Sequence, residues 1–337
     1  MAGARRISGY FPLIPGQRGE AIRDLQRRLG AAGFHPGTGT EAGFFGVETA
    51  ASLRAFQQAR GLGVDGVCGE YTWAGLVEAS WRLGDRLLLL TAPNLRGDDV
   101  ATLQGALGRI GFDCGKVDGI MGPRTAHALE DFQGNCGLVV DGICGPVTLK
   151  AIERVSRQSG TGPGVAMVRE RDHVQSRQAS LRQLRVVIGQ FGGLSNLARA
   201  LTRELRTCGA VVISVDEPDA LAQAEAANRF SADIYLGFDA TTDTAPTVAF
   251  YAVPPFESAG GRSLAEGIAA GLRERADVEP LVRGMRLQVL RETRMPAVLT
   301  SISTIRRTVD FSGELTVIIR DAVEGWAGYP RSEHAPR

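Results

Sequence analysis

Residues 186–193, VVIGQFGG, have the pattern of a strand that delivers its C-terminal end to a glycine-rich loop. Three β-branched residues lead into the turn, and α/β proteins place a metal, a phosphate or a nucleophile at such strand ends. The side chains that this loop offers are Gln190 and Phe191. The chemistry of the loop therefore depends on what the rest of the chain brings to it.

The residue types that most often bind metals or act as bases are scattered along the chain. The histidines are His35, His127, His173 and His334. The cysteines show no CxxC spacing, so neither a disulfide framework nor a zinc ribbon is indicated. We expect them to be small buried thiols in a reducing compartment. They are Cys68, Cys114, Cys136, Cys144 and Cys208.

Composition limits the classes of function. A chain of 337 residues with 44% hydrophobic and 22% charged residues is typical of two or three globular domains. A net charge of +1 gives no long-range field to attract nucleic acid or an anionic membrane. The N-terminal stretch lacks an unbroken apolar run for a signal peptide, and no later run has the length of a membrane helix. The sequence predicts a cytoplasmic protein.

The first half of the chain contains an internal duplication. Residues 18–34, RGEAIRDLQRRLGAAGF, align without gaps with residues 96–112, RGDDVATLQGALGRIGF. Residues 45–72 align in the same way with residues 121–148. Apolar residues recur at helical spacing in both copies, which predicts three helices per copy.

Between these helices the pattern G-x-x-G-x-x-T occurs four times. Glycine permits the positive φ of a tight turn, and we expect the threonine at the helix start, as its cap or one residue inside. We interpret the motif as turn-forming, with a binding role as the alternative. The four motifs begin at Gly43, Gly66, Gly119 and Gly142.

The phrases LQRRLGAAGF and FQQARGLGVDGVCGEYT, with their partners in the second copy, resemble the three-helix peptidoglycan-binding domain, often called PG-binding domain 1. The resemblance covers both copies. It implies a shallow groove for muropeptide of the cell wall, whose residues the sequence does not identify.

After a polar stretch that contains GTGPG, strand-like and helix-like segments alternate. Such alternation predicts an α/β domain with a mostly parallel, helix-covered sheet, whose functional groups lie at strand ends. The fold class is thus multidomain, with two small all-α repeats before an α/β domain. Strands are predicted at 186–188, 210–215, 233–238, 247–253, 285–290 and 297–302, and helices near 194–206, 219–229, 261–275 and 315–326.

The phrases LARALTRELRTCG, AEAANRFSADIYLGFDA and VLRETRMPAVLTSIS resemble the zinc-dependent N-acetylmuramoyl-L-alanine amidases of the Amidase_3 family. That resemblance implies a zinc ion held by His, Glu and His, with a second Glu as general base. Phe191 stands where the family has its first histidine, Asp239 where it has the second, and Ser301 where it has the general base. The segment that would carry the glutamate ligand is missing.

One carboxylate in such a set does not hold zinc, and Ser301 has no histidine in this half to act as its base. The sequence therefore predicts an inactive amidase homologue without metal or cofactor. The alternative is an active zinc amidase that cuts the bond between the muramoyl group and L-alanine. A third class, a simple wall-binding protein, would require export.

Two such repeats followed by a degenerate amidase half resemble the CwlM-like family of Actinobacteria, with RGDDVATLQ and GLVVDGICGPVTL among the matching phrases. This resemblance implies a cytoplasmic regulator that stimulates MurA, the enolpyruvyl transferase of peptidoglycan precursor synthesis, when a PknB-type kinase phosphorylates it. It also implies a membrane role with the lipid II flippase MurJ. A muropeptide or precursor is the implied small ligand, and nucleic acid is not expected.

The expected organisation follows from these segments. An N-terminal extension covers residues 1–15, the two repeats cover 16–82 and 93–155, and a linker covers 156–183. The degenerate amidase-like domain covers residues 184–328, and a tail covers 329–337.

Overall fold

A computed structural model describes residues 11–37, 39–157, 164–176, 181–240, 246–253, 256–276, 278–302 and 311–328. The predicted tail, most of the N-terminal extension and parts of the predicted linker lie outside these residues. The chain divides into two compact units, Met1–Val165 and Ala166–Arg337. No helix among the described residues combines the length and apolar character needed to cross a bilayer.

The first unit contains three helices in each copy of the duplication, as predicted. In repeat 1 they are α1 (Glu20–Ala31), α2 (Val47–Ala59) and α3 (Glu70–Glu78), and in repeat 2 they are α4 (Asp98–Arg109), α5 (Pro123–Asn135) and α6 (Pro146–Ser156). Each copy has its own core. Apolar residues spaced three and four positions apart lie on one face of each helix, and these faces pack together within the copy. Leu25, Leu53 and Phe56 are fully buried in the first core, and Leu103, Leu129 and Phe132 in the second.

A short extended segment precedes each copy and forms a β-bridge with the loop before the third helix of that copy. Leu13 pairs with Cys68, and Leu88 pairs with Cys144. Both leucines are buried in the adjacent core, so packing begins before residues 16 and 93, the predicted starts of the repeats. Cys68, Cys114 and Cys144 are buried free thiols, whereas Cys136 and Cys208 are only half-buried.

The second unit is built on a seven-stranded sheet. The strands are β1 (Arg185–Gln190), β2 (Val211–Asp216), β3 (Ile234–Ala240), β4 (Thr247–Val253), β5 (Phe256–Glu257), β6 (Leu281–Met285) and β7 (Ala297–Ile302). Their order is β2-β1-β3-β7-β4-β5, and β6 pairs with β4. Strands β1, β2, β3 and β7 run parallel to one another, β4 is antiparallel to β7, and β6 is parallel to β4. The prediction of a mostly parallel sheet is confirmed.

Helices cover both faces of this sheet. They are α7 (Val165–Ser176), α8 (Ser195–Thr207), α9 (Ala220–Arg229), α10 (Ala259–Ala276), α11 (Gln288–Glu292) and α12 (Ser312–Ala327). Apolar residues of α8, α10 and α12 form one core with alternate residues of the strands, such as Ile188, Leu236 and Val298. On the opposite face Tyr235 donates a hydrogen bond to Gln223 of α9, and α9 lies against α11.

One sequence expectation needs correction here. The strand predicted at residues 285–290 is wrong, because β6 ends at Met285 and α11 begins at Gln288. Val289 and Leu290 are both buried, and a short apolar run fits a buried helix turn as well as a strand. The predicted linker also contains α7, whose Glu170 carboxylate accepts hydrogen bonds from Ser258 Oγ (2.5 Å) and the Ala259 amide (3.2 Å) at the start of α10.

Candidate functional site

The three positions that the sequence resemblance predicts to be degenerate site residues lie at the carboxyl ends of the parallel strands β1, β3 and β7. Asp239 of β3 is paired directly with Ser301 of β7. The Phe191 amide, just after β1, donates to the Phe238 carbonyl (3.0 Å). Because side chains alternate along a strand, all three positions fall on the face that α9 covers. Neighbouring parallel strands bring them together, and each is half-buried.

The loop after β1 is closed by its own glutamine. Gln190 is 2% exposed, and its Oε1 accepts hydrogen bonds from the amides of Gly192 (2.8 Å) and Leu194 (3.1 Å). Its Nε2 donates to the Asp216 carboxylate, which also accepts from Ser195 Oγ (2.9 Å). The polar side chain of the loop is therefore used to hold the loop itself. Sequence reasoning missed Asp216 and Ser195, which come from β2 and from the start of α8.

The space next to the loop is filled by two further polar side chains. Gln223 Nε2 donates to the Gln190 carbonyl (3.0 Å), and the Tyr235 hydroxyl donates to Gln223 Oε1 (2.6 Å). A Cβ atom at Gly189 would lie 1.9 Å from Gln223 Oε1 and 2.3 Å from the Tyr235 hydroxyl. Only glycine fits at this position, because the side chains of Gln223 and Tyr235 pack directly against the backbone of β1 there.

The side chains at the carboxyl ends of these three strands do not form a set of zinc ligands. Burial raises the pKa of the Asp239 carboxyl, an effect that the Ala240 amide partly offsets by hydrogen bonding. The neighbouring positions offer a phenyl ring and a hydroxyl, and neither is a normal zinc ligand. Residues 184–328 contain no histidine. Throughout the described part of the chain, no group of three His, Cys, Asp or Glu side chains is placed to hold a metal ion.

In the repeats, the G-x-x-G-x-x-T motif forms turns around a glutamine. The first glycine of each motif has a positive φ, at +80° for Gly43 and +66° for Gly142, as expected. The threonine is not a cap: the second glycine is the N-cap, and the threonine is the third helical residue. Its buried hydroxyl instead accepts a hydrogen bond from a glutamine amide.

Gln57 shows the arrangement. Its Nε2 donates to Asp65 Oδ1 (2.7 Å) and to the Val67 carbonyl (3.0 Å), and it lies 3.4 Å from the hydroxyl of Thr72. Its Oε1 accepts from the Gly66 amide (2.9 Å). Sequence reasoning missed these glutamines, although the L-Q and F-Q phrases contained them. The corresponding residues are Gln26, Gln104 and Gln133.

The surface of repeat 2 carries a shallow hollow of about 430 Å³. His127 lies between two carboxylates there, 3.8 Å from Glu130 and 3.6 Å from Asp131. The hollow offers hydrogen-bonding groups of both kinds beside the exposed side chain of Val140. It is lined by His127, Glu130, Asp131, Gly134, Asn135 and Val140.

The chain is similar to known proteins along most of its length. Residues 18–76 and 96–152 match the family model described as "Putative peptidoglycan binding domain". The N-acetylmuramoyl-L-alanine amidase CwlM of Mycobacterium tuberculosis is 33% identical over 367 aligned residues, which cover 96% of this chain and 89% of that protein. The N-acetylmuramoyl-L-alanine amidase CwlL of Bacillus licheniformis is 32% identical over 37% of this chain and 41% of its own length. Among solved structures, the amidase AmiC2 of Nostoc punctiforme matches with a TM-score of 0.36 and 14% identity, over 42% of this chain and 96% of that chain.

Proposed function

The chain belongs to the family of CwlM, in which peptidoglycan-binding repeats precede an amidase-like domain, and on this premise we propose that it is a non-catalytic regulator or scaffold of peptidoglycan precursor synthesis. One observation carries the proposal. At the carboxyl ends of β1, β3 and β7, the positions that would serve hydrolysis are Phe191, Asp239 and Ser301.

Hydrolysis of an amide bond requires an activated nucleophile and a group that moves the proton. Residues 184–328, which include Ser301, contain no histidine, and Asp239 is a lone carboxylate whose pKa is raised by burial. Gln190 is committed to its own loop. These residues support local hydrogen bonding rather than a catalytic cycle.

The partners of such a regulator follow from the family resemblance and belong to the proposal. They are the enolpyruvyl transferase MurA, the lipid II flippase MurJ and a PknB-type kinase. The repeats would contribute binding, and the hollow beside His127 has the polar groups to contact a muropeptide or a precursor. We propose the cytoplasm as the location, because the family resemblance implies a cytoplasmic regulator.

A second candidate is a zinc-dependent N-acetylmuramoyl-L-alanine amidase. The names of the relatives favour it, since CwlM and CwlL are both called amidases. The two candidates differ in what they require of Asp239 and Ser301. An amidase would need at least one of them, whereas a scaffold would not.

The test is a transferase assay with purified MurA from the same organism. The full chain is added in two forms, one unphosphorylated and one treated with the PknB-type kinase. We expect the phosphorylated form to increase transferase turnover. The double variant Asp239→Ala, Ser301→Ala should increase it equally, because these residues lie outside the proposed function. If neither form of the wild-type chain changes turnover, the assignment to MurA is wrong.

A further inference from the structure

A second concave surface lies on the α/β unit, between α8 and the edge strand β2. The hollow has a volume of about 580 Å³. Three guanidinium groups and three hydroxyl groups line it, and no carboxylate does. The lining residues are Arg199, Thr202, Arg203, Arg206, Thr207 and Ser214.

The positive charge of this hollow is not neutralised within the described structure. Arg199 donates to the side-chain oxygen of Asn196, and Arg206 donates to the Val212 carbonyl (2.7 Å). Among the described residues, none of the three arginines forms an ion pair. The stretch 181–211 contains five arginines and one acidic residue, Glu204, which pairs with Arg320 on α12. The hollow therefore carries three exposed positive charges despite the near-neutral chain.

The arginines form a row. They occupy positions i, i+4 and i+7 of α8, so they are spaced by about 6 Å and about 4.5 Å along the helix axis. The hydroxyls of Thr202 and Thr207 donate back to carbonyls of their own helix, at 2.7 and 2.9 Å. The arginines are thus the cationic donors that face the hollow.

The other wall of the hollow is the outer edge of β2, with which no other described strand pairs. β2 is the outermost strand, and the Val211 amide points toward β1, where it donates to the Leu184 carbonyl (2.8 Å). The Val212 carbonyl points outward, where Arg206 meets it. Since backbone groups alternate in direction along a parallel strand, those of Ser214 also point outward, into the hollow. An extended peptide could use them.

We propose that the hollow between α8 and β2 is a docking surface for an extended acidic segment of a protein partner. Acidic side chains at alternate positions of an extended segment lie about 6.6 Å apart, which is close to the separation of about 6 Å between Arg199 and Arg203 along the helix axis. Each arginine presents a fork of donors that fits a carboxylate. A single phosphate group would engage one end of the row, and a flat bilayer would not enter a concave surface.

The proposal concerns the α/β unit alone, so failure of the transferase assay leaves it unaffected. It is tested with the full chain by fluorescence anisotropy. The probe is a labelled octapeptide that alternates glutamate and threonine, and the matched peptide carries lysine in place of glutamate. We expect the acidic peptide to bind, to lose affinity as salt increases, and to outcompete the lysine peptide.

The variant that tests the surface is Arg199→Glu combined with Arg203→Glu. Reversal of two exposed charges that form no ion pair with any described residue should weaken peptide binding at least about tenfold. The control is Arg229→Glu, since Arg229 is an exposed arginine in the last turn of α9, and its effect should stay within about twofold. Arg206 is left intact because it bonds the Val212 carbonyl. A milder pair, Arg199→Gln with Arg203→Gln, covers the case in which charge reversal disturbs folding.

The proposal is overturned if the acidic peptide does not bind the wild-type chain, or if the double variant and the control bind it equally. It is also overturned if inorganic diphosphate or phosphatidylglycerol vesicles bind the wild-type chain more tightly than the peptide and lose binding in the same double variant. In that case the surface would recognise phosphate, free or in a lipid headgroup.

Discussion

Four glutamines determine the geometry of the repeat turns. Each one satisfies backbone groups of a turn and a threonine hydroxyl of the next helix, and Gln57, Gln104 and Gln133 are almost completely buried. A side-chain amide both donates and accepts, so one residue can satisfy a glycine amide and a carbonyl that would otherwise be buried without partners. This role explains why glutamine follows the core leucine or phenylalanine in all four places.

Replacement of Gln57 by leucine should destabilise repeat 1 by about 2–4 kcal/mol, because the Gly66 amide and the Val67 carbonyl lose their partner inside the protein. The next residue supplies a matched control. Gln58 lies on the exposed side of α2, and Gln58→Leu should change stability by less than about 0.5 kcal/mol. Urea unfolding monitored by Trp73 and Trp81 fluorescence, in a Trp326→Phe background, measures both. Equal effects of the two substitutions would refute the role of Gln57.

Asp141 makes the turn of repeat 2 sensitive to acid. The Ile143 amide and the Gln133 side chain hydrogen bond to its carboxylate and hold the pKa below its ordinary value. A lowered pKa in the folded state means that the carboxylate stabilises the fold above about pH 4 and that this contribution is lost as pH falls through the folded pKa. Asp141→Asn should therefore flatten the decrease in the urea midpoint at low pH. Parallel pH profiles for the two proteins would contradict this.

At the level of elements, the two glycines of each turn have different roles. Gly142 has a φ of +66°, and a Cβ there would lie 3.1 Å from Glu130 Oε1. Gly145 has an extended backbone with a φ of −97°, and a Cβ there would make ordinary contact with Leu87. The sequence motif alone does not separate them, because it shows glycine at both positions.

Gly142→Ala should cost about 1–2 kcal/mol, since an L-residue in the left-handed region is strained. Gly145→Ala should cost less than about 1 kcal/mol, because alanine is only a poorer N-cap than glycine. Hydrogen-exchange mass spectrometry on peptides from α5 and α6 compares the two variants. A larger loss of protection for Gly145→Ala would show that the positive φ is not what constrains this turn.

The elements with a clear period were predictable. Helices α4 and α8 and strands β1 and β7 follow from apolar spacing, and burial of those residues agrees with the spacing. The short apolar segment at residues 285–290 was assigned to a strand because its length fits either structure. The sequence pattern predicts the threonine as the cap or one residue inside the helix, because caps are common sites for threonine. In the structure its hydroxyl instead contacts a glutamine 15 to 23 residues earlier.

At the level of the whole molecule, the α/β unit has a mostly parallel sheet, and its described residues include no group of three His, Cys, Asp or Glu side chains placed to hold a metal ion. Phe191, Asp239 and Ser301 lie side by side because they stand at the carboxyl ends of neighbouring parallel strands. The prediction of a mostly parallel sheet was enough to place them together. The closure of the loop by Gln190, Asp216 and Ser195 did not follow, because it depends on the exact register of β2 against β1. The net charge of +1 for the whole chain did not indicate the row of arginines on α8.

The central claim is that the residues at the carboxyl ends of β1, β3 and β7 perform no hydrolysis, and one measurement tests it most directly. The full chain, purified and then saturated with zinc and freed of excess ion, is assayed by elemental analysis and by release of peptide from muropeptide, beside an active zinc amidase as the positive control. We expect no stoichiometric zinc and no released peptide. About one zinc per chain, together with peptide release that a chelator abolishes and that Asp239→Ala removes, would contradict the claim and establish the amidase instead.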